Sequence, residues 1–207
     1  MPPGGRVCQD EAFSFLRNSL FDGCLAGIDG EPEAAPEAKI AQLLTYGATV
    51  LLVKGNYDRA FELAVAAAER YGWYNRNTGM NPYTIEGKKT VAFEIAEQLG
   101  WQMPDAVVVS VGDGNIISGV HKGLNDLYAL GWIDRIPRLI GIQADGSAAC
   151  YQAWSIGADP AQMQPINAQT VADSIAADLP RDRVKAVRAI RETDGAFVCV
   201  PDEAILA

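Results

Sequence analysis

The sequence predicts a parallel α/β fold, because strand patterns and helix patterns alternate along most of its 207 residues. The clearest strand is the β-branched run at residues 107–111, which is typical of a strand buried on both faces. The clearest helix covers residues 57–71, where Phe61, Val65 and Ala68 recur on one face. This alternation implies βαβ units with right-handed crossovers.

Turn and cap residues set the limits of the individual elements. Gly47 is suited to end the first helix, and Asn56 is a good cap for the second. A polar, aromatic segment with Asn, Gly and Pro throughout is predicted to be a loop at residues 72–87. In chain order, the predicted helices are 38–46, 57–71, 88–99, 116–130, 148–156 and 182–192, and the predicted strands are 48–53, 107–111, 139–143 and 196–200.

The two ends do not fit this order. Residues 1–35 are rich in Gly and Pro and form an atypical N-terminal segment that the pattern does not place in a sheet. At the other end, Asp202 is a fair N-cap for a helix of barely one turn, which is too short to be stable alone. Residues 36–207 are therefore expected to be a partial, truncated α/β region.

Composition excludes several classes of protein. With 49% hydrophobic and 21% charged residues, the chain has ample material for a core. A net charge of −9 without a Lys/Arg cluster argues against nucleic-acid and anionic-membrane partners. The four cysteines lack metal-ligand spacing, and no signal peptide or membrane span is recognisable. We expect a cytoplasmic protein with ordinary thiols and no metal site.

The segment that follows the strand at 107–111 carries the strongest functional signal. Glycines at 112, 114 and 119 come immediately before and within the start of a helix. A strand, a glycine loop and a helix start direct several backbone N–H groups and the positive end of a helix dipole at one point. Asn115 and Ser118 add side-chain donors. This arrangement predicts a binding site for an anion, most simply a phosphate.

Two other interpretations of the loop stay open at this point. A tight turn between a strand and a helix also needs glycines, for positive φ. A dinucleotide-binding loop is the other alternative, but its G-x-G-x-x-G fingerprint requires glycine where this chain has Ile117. Asp145, the candidate for its ribose-binding acid, comes later than the usual spacing.

Six segments, taken together, resemble threonine synthase and its relatives among fold type II pyridoxal-phosphate enzymes. They occur in the family's order and cover about residues 36–206. The matching segments are 36–48, 55–58 (Gly-Asn-Tyr-Asp), 81–90 (Asn-Pro-Tyr-Thr-Ile-Glu-Gly-Lys-Lys-Thr), the glycine loop, 137–143, and 172–175 (Ala-Asp-Ser-Ile).

The resemblance implies a three-layer αβα fold, pyridoxal 5'-phosphate as cofactor and lyase chemistry on an amino acid. In the family, the matching loop wraps the cofactor phosphate. This assigns cofactor binding to Gly112, Asp113, Gly114, Asn115 and Ile116. The implied reaction is an elimination or replacement at the β or γ carbon.

This chain departs from the family pattern in two respects. The family's Schiff-base lysine and a Ser-x-Gly-Asn-type loop precede the segment matching Pro36, yet residues 1–35 contain neither motif and no lysine. The family's polar partner of the pyridine nitrogen belongs beyond Ala207. The resemblance therefore assigns no catalytic residue to this chain, which is expected to be inactive alone.

The second departure concerns the substrate. An Asn-Ser pair and an arginine that help bind the substrate phosphate in threonine synthases are Thr78, Gly79 and Thr84 here. Threonine cannot replace a bidentate arginine fork, so an amino acid other than phosphohomoserine is possible.

Several charged residues each allow a functional and a structural interpretation. Lys88 and Lys89 are either an anion-binding pair or solvated surface. Lys54 and Lys122 are either substitutes for the missing lysine or surface residues, and His121 either contacts a ligand or is structural. Asp173 and Ser174 resemble the family block, but they also suit a helix cap, whereas Asp58 suits the first turn of a helix.

The sequence supports two main functions. The first is a threonine-synthase-like lyase present as an incomplete chain. The second is a non-catalytic module that binds a phosphate ligand or a partner, derived from the same fold. In either case we expect a small phosphate ligand or an amino acid as ligand, and a homo-oligomer or self-association through uncovered apolar surface.

Overall fold

The computed structural model describes residues 6–8, 27–32 and 37–206, and the chain divides into two compact units, Met1–Asn81 and Pro82–Ala207. The described residues before residue 33 form strands β1 (Arg6–Cys8) and β2 (Gly27–Pro32). The sequence pattern did not place these strands. The rest of residues 1–35 lies outside the described residues.

The first unit is built on a parallel three-stranded sheet in the order β1-β2-β3. The elements that follow β2 along the chain are α1 (Glu37–Thr45), β3 (Thr49–Val53) and α2 (Tyr57–Tyr71). Asn56 accepts a hydrogen bond from the N–H of Arg59 at 3.2 Å, and Gly72 ends α2 with φ +67°. Cap and stop residues thus confirm the predicted limits of α2.

The predicted loop at residues 72–87 is only partly a loop. Helix α3 (Tyr83–Lys88) begins directly after Pro82, and α4 (Thr90–Gln98) follows. Pro82 has φ −64°, which is already helical, and Glu86 places an acid in the first turn of α3. The loop prediction was therefore wrong for residues 83–87, because proline favours a first helical turn as well as a loop.

The second unit contains a parallel sheet in the order β4-β5-β6, formed by Ala106–Ser110, Arg138–Ala144 and Ala196–Val200. The register pairs Val109 with Gly141 and Gly141 with Phe197. Helix α5 (Asn115–Ala129) connects the first two strands, and α6 (Ala149–Ser155) and α7 (Arg183–Glu192) connect the second pair. The predicted parallel α/β organisation is confirmed.

The core of the second unit lies on one face of this sheet. Val109, Leu139 and Phe197 are buried there with the apolar sides of α5 and α7. On the other face, Val108 and Val198 are 65% and 41% exposed. The expectation that the strand at 107–111 is buried on both faces was therefore wrong, since the packed helices cover one side.

A single C-terminal turn, α8 (Asp202–Ile205), follows β6. Its N-cap is Pro201, so the expectation that Asp202 is the cap was wrong by one residue. The Asp202 carboxylate instead accepts hydrogen bonds from Thr170 Oγ1 at 2.5 Å and the N–H of Val171 at 3.0 Å. These two bonds anchor a turn that would be too short to persist alone.

Candidate functional site

The glycine loop connects the end of β4 to the start of α5. The N–H of Val111 donates to the Ile142 carbonyl at 2.8 Å, and Gln143 Nε2 donates to the Val111 carbonyl at 3.2 Å. Gly114 then adopts φ +86° as the N-cap of α5. This left-handed conformation favours glycine and turns the chain sharply into the helix.

Several backbone N–H groups of the loop are open, which means that they donate no hydrogen bond within the described part of the chain. Within the described part of the chain, the N–H groups of Gly112, Gly114, Asn115 and Ile116 donate to no other residue. The helix dipole adds partial positive charge at the same end of α5. These donors fit a phosphate and need no basic side chain to do so.

The glycines themselves are explained by packing within the protein. A Cβ on Gly112 would lie 2.8 Å from the Ile175 Cα, and a Cβ on Gly114 would lie 2.8 Å from the Ala186 Cβ. Both distances are too short for an ordinary contact. The glycines thus satisfy the plain-turn interpretation, and the case for an anion depends on the open N–H groups.

The two predicted side-chain donors are used within the protein. Asn115 Nδ2 donates to Asp182 Oδ2 at 2.7 Å and to Thr84 Oγ1 at 3.3 Å, while Ser118 Oγ donates to the Gly114 carbonyl at 2.6 Å. Asn115 Oδ1 is buried without a partner in the described chain, and as an acceptor it does not suit a phosphate oxygen. Phosphate binding would therefore rely on the backbone.

The residues directly before α7 are hydrogen-bonded to the glycine loop. Asp113 accepts hydrogen bonds from two successive backbone N–H groups, those of Arg181 (to Oδ1, 3.0 Å) and Asp182 (to its carbonyl, 2.8 Å). Lys185 Nζ lies 2.6 Å from Asp182 Oδ1. Asp182 was predicted only as a helix start. An aspartate before a helix is a local sequence pattern, so it could not reveal the hydrogen bond with Asn115, which is 67 positions away.

The Asp173–Ser174 block lies in a short 3-10 turn, Asp173–Ile175. Ser174 Oγ donates to Asp173 Oδ1 at 3.1 Å, and the Ile175 backbone contacts the position of Gly112. The structure therefore brings this block to the edge of the glycine loop, while the role of its side chains stays a prediction.

Lys89 and Lys122 take part in a charged network rather than standing open. Lys89 Nζ lies 2.7 Å from Glu86 and 2.8 Å from Asp126, and Lys122 Nζ lies 3.2 and 3.6 Å from the same carboxylates. Hydrogen bonds that the lysines donate lower the pKa values of Glu86 and Asp126, and donation to these two carboxylates raises the pKa of Lys89. We call these four residues the ion-pair cluster.

The sole histidine borders a groove of about 420 Å³ between α3, α5 and α7. His121 Nε2 lies 3.3 Å from Glu192, yet burial lowers the pKa of His121 and outweighs this attraction. Lys54 is exposed after β3. No described contact joins the His121 side chain to the glycine loop.

Among the described residues no group of His, Cys, Asp and Glu is arranged to hold a metal ion. Within the same residues, no helix is both long and apolar enough to span a membrane.

Comparison with known proteins extends these observations. The model of the pyridoxal-phosphate dependent enzyme family matches residues 31–207. The threonine synthase of Methanosarcina acetivorans is 41% identical over 169 residues, which cover 82% of this chain and 41% of that protein. The threonine synthase of Mycobacterium tuberculosis strain H37Rv is 34% identical over 169 residues, which cover 82% of this chain and 44% of that protein. The chain thus spans less than half the length of these curated relatives.

Solved structures share the fold at lower sequence identity. A fungal L-serine ammonia-lyase from Rhizomucor miehei superposes with a TM-score of 0.76 at 19% identity. The superposed region covers 96% of this chain and 61% of the lyase chain. Threonine deaminase isoform 2 from Solanum lycopersicum gives 0.72 at 22% identity, with coverages of 95% and 51%. Together with the sequence matches, this fold shows that the chain belongs to the pyridoxal-phosphate-dependent enzyme family, in its threonine-synthase-like, fold type II branch.

Proposed function

We propose that residues 112–116 bind the phosphate of pyridoxal 5'-phosphate, and that the chain supplies this half-site to a threonine-synthase-like amino-acid lyase. The observation that carries the proposal is the set of four open N–H groups at the start of α5. They lie in the segment that resembles the family's phosphate loop, within a chain that belongs to that family.

The chain's own contribution is to bind and orient. The four N–H groups hold the phosphate, and Gly114 fixes the direction from which the helix dipole meets it. When bound, pyridoxal phosphate supplies an electron sink for bonds broken at the amino acid. Catalysis also needs an amine that carries the cofactor. In the family this amine belongs to a lysine that precedes the segment matching Pro36, whereas the first lysine in this sequence is Lys39. We therefore expect binding without turnover by the 207-residue chain.

The substrate is proposed to be an amino acid without a substrate phosphate. Thr84, at the position of the family's arginine, is buried and accepts a hydrogen bond from Asn115. A short hydroxyl held in this way offers no bidentate fork to a second phosphate. An unphosphorylated substrate of the elimination or replacement class fits this position better than phosphohomoserine.

The test is a titration of the purified protein with pyridoxal phosphate, followed by absorbance. Pyridoxal, which lacks the phosphate, is the matched ligand control. We expect saturable binding of pyridoxal phosphate and at least about tenfold weaker binding of pyridoxal, because charge-assisted hydrogen bonds to the phosphate are lost. A folded sample that binds both equally, or neither, would contradict the proposal.

Borohydride reduction followed by peptide mapping tests whether the cofactor becomes attached. Without a dedicated amine, we expect no stoichiometric adduct at any single lysine. This result is expected both of a half-site that receives its amine from elsewhere and of the second candidate, a non-catalytic phosphate-binding module. One adduct per chain at one lysine would identify a substitute amine and favour the lyase. A dinucleotide site is not proposed, since Ile117 is fully buried where that loop needs glycine.

We further propose that the protein works in the cytoplasm and associates with itself. Among the described residues, Cys150 and Cys199 are free thiols, as expected in a reducing compartment. Val108 and Val198 lie on the exposed sheet face, which is an apolar surface suited to a second copy. Sedimentation velocity should show dimers or larger species, and a monomer at micromolar concentration would contradict self-association.

A further inference from the structure

We infer that Asp182 is a positioning residue of the phosphate loop: its contacts hold residues 113–115 in the conformation that leaves the neighbouring N–H groups open. The inference rests on the proposed function for the identity of the ligand. The contacts that carry it all lie within the second unit.

Asp182 occupies the N-cap position of α7 but does not cap that helix with its side chain. Aspartate at this position ordinarily accepts a hydrogen bond from the first turn of its own helix. Here the carboxylate is directed to Asn115 Nδ2 at 2.7 Å and to Lys185 Nζ at 2.6 Å, and the side chain is only 2% exposed. The buried Asp182 carboxylate thus contacts the loop residue Asn115 instead of the first turn of α7.

The backbone of Asp182 reaches the same loop. Its N–H donates to the Asp113 carbonyl at 2.8 Å, and its carbonyl lies 3.3 Å from the position of a Cβ on Gly114. Three consecutive loop residues therefore meet Asp182, by a hydrogen bond, a close approach and a side-chain hydrogen bond. Such an arrangement restricts the loop to one shape before any ligand arrives.

The charge of Asp182 and its contacts predict opposite effects on phosphate binding. A carboxylate near a phosphate site repels the ligand, even though Lys185 offsets part of the charge. If charge alone mattered, removal of Asp182 would strengthen binding. If positioning dominates, removal frees the Asn115 side chain and weakens binding.

The first experiment compares Asp182→Ala and Asp182→Asn in the 207-residue protein by titration with pyridoxal phosphate and with pyridoxal. We expect Asp182→Ala to weaken pyridoxal phosphate about tenfold, as is typical for loss of a hydrogen bond to a charged group, and to leave pyridoxal unchanged. Asp182→Asn keeps an acceptor for Asn115 and should recover most of the affinity. Unchanged or tighter binding in Asp182→Ala would overturn the inference.

Asp178→Asn is the matched control, because it removes one carboxylate from the same segment. That carboxylate accepts a hydrogen bond from the N–H of Ala168 at 2.8 Å. We expect its affinity for pyridoxal phosphate to stay within about twofold of the parent protein. A loss equal to that of Asp182→Ala would assign the effect to the segment as a whole and overturn the specific role of Asp182.

A ligand-free measurement separates this inference from the proposed function. In ¹⁵N spectra, the Asn115 side-chain amide should exchange slowly with solvent in the parent protein and rapidly in Asp182→Ala, whether or not the cofactor binds. Failure of the parent protein to bind pyridoxal phosphate would defeat the proposed function alone. Unchanged exchange of the Asn115 amide in a folded Asp182→Ala sample would defeat the positioning role. If the alanine variant does not fold, it is replaced by Asp182→Ser, because serine is favoured at an N-cap position.

Discussion

The sequence offered an anion-binding interpretation at the glycine loop and at the Lys88–Lys89 pair, and Lys89 of that pair lies in the ion-pair cluster. The loop and the cluster differ in which donors have partners. At the loop, the N–H groups of Gly112, Gly114, Asn115 and Ile116 have no partner within the described chain. In the cluster, Lys89 and Lys122 each lie within 4 Å of two carboxylates. The proposed anion site is therefore the neutral backbone, although the cluster contains the formal positive charges.

The proposal therefore depends on whether a donor is unpaired, and not on its formal charge. A lysine held by two acids must give up those contacts to bind a phosphate, whereas a first-turn N–H group gives up only water. The two regions also differ in their tolerance of change. The loop is packed against Ile175 and Ala186, while the cluster is partly exposed.

The largest expected effect is on the loop, through Gly114→Ala. The substitution combines a left-handed backbone at φ +86° with a Cβ placed 2.8 Å from the Ala186 Cβ. We expect the free energy of unfolding to fall by about 3 kcal/mol, measured by urea denaturation. Gly131→Ala, at φ +71° with nothing within 4 Å of its Cβ, should lose only about 1 kcal/mol. Equal losses would show that the loop is not tightly packed.

The next effect separates phosphate binding from stability, through Ile116→Glu. This side chain is 42% exposed in the first turn of α5, so an acid there complements the helix dipole. The same acid repels a phosphate, and we expect pyridoxal phosphate to bind about fivefold more weakly than to Ile116→Gln, which differs by one charge. Calorimetric titration measures the affinity. The thermal midpoint of Ile116→Glu should equal or exceed that of Ile116→Gln, and a lower midpoint would attribute the weaker binding to unfolding.

Local patterns predicted the parts of the fold that local forces determine. Helix α2 was found from Asn56 and its apolar face, and β4 from its β-branched run. Helix α3 was missed because Asn81-Pro82 reads equally well as a turn. The exposed face of β4 was also missed, since a run of valines does not record which side the helices will cover.

The candidate site shows the same limit more sharply. The glycine loop was visible in the sequence because its strand, glycines and helix are contiguous. The contact of Asn115 with Asp182 joins residues 67 positions apart, so no local pattern contains it. Asn115 itself looked like a ligand donor, and only the fold shows that Asp182 and Thr84 already accept from its amide.

A smaller effect concerns His121, which lies between the two regions on α5. Burial lowers its pKa, so the native state favours the neutral imidazole over the charged one. The free energy of unfolding should therefore fall as the pH drops below about 6.5, because the unfolded chain then binds the proton more readily. Since the sequence has one histidine, its proton NMR signal is unambiguous, and the native pKa should lie below the ordinary value.

His121→Gln provides the check on that pH dependence. The variant should lose less stability than the parent protein between pH 7 and the native pKa of His121, because the group responsible is gone. A native pKa above the ordinary value would mean that the Glu192 carboxylate at 3.3 Å outweighs burial. Stability would then increase, rather than decrease, as the imidazole becomes protonated.

The smallest expected effect is that of Lys89→Gln on phosphate binding. Lys89 is held by Glu86 and Asp126 and lies 5.8 Å from the centre of the Phe93 ring, so its ammonium is already committed within the protein. We expect the affinity for pyridoxal phosphate in calorimetric titration to change by less than about twofold. Lys122→Gln, which removes the other cation of the cluster, should behave alike. A tenfold loss of affinity in either variant would indicate that the lysines bind the phosphate, and it would contradict phosphate binding by the N–H groups of the loop.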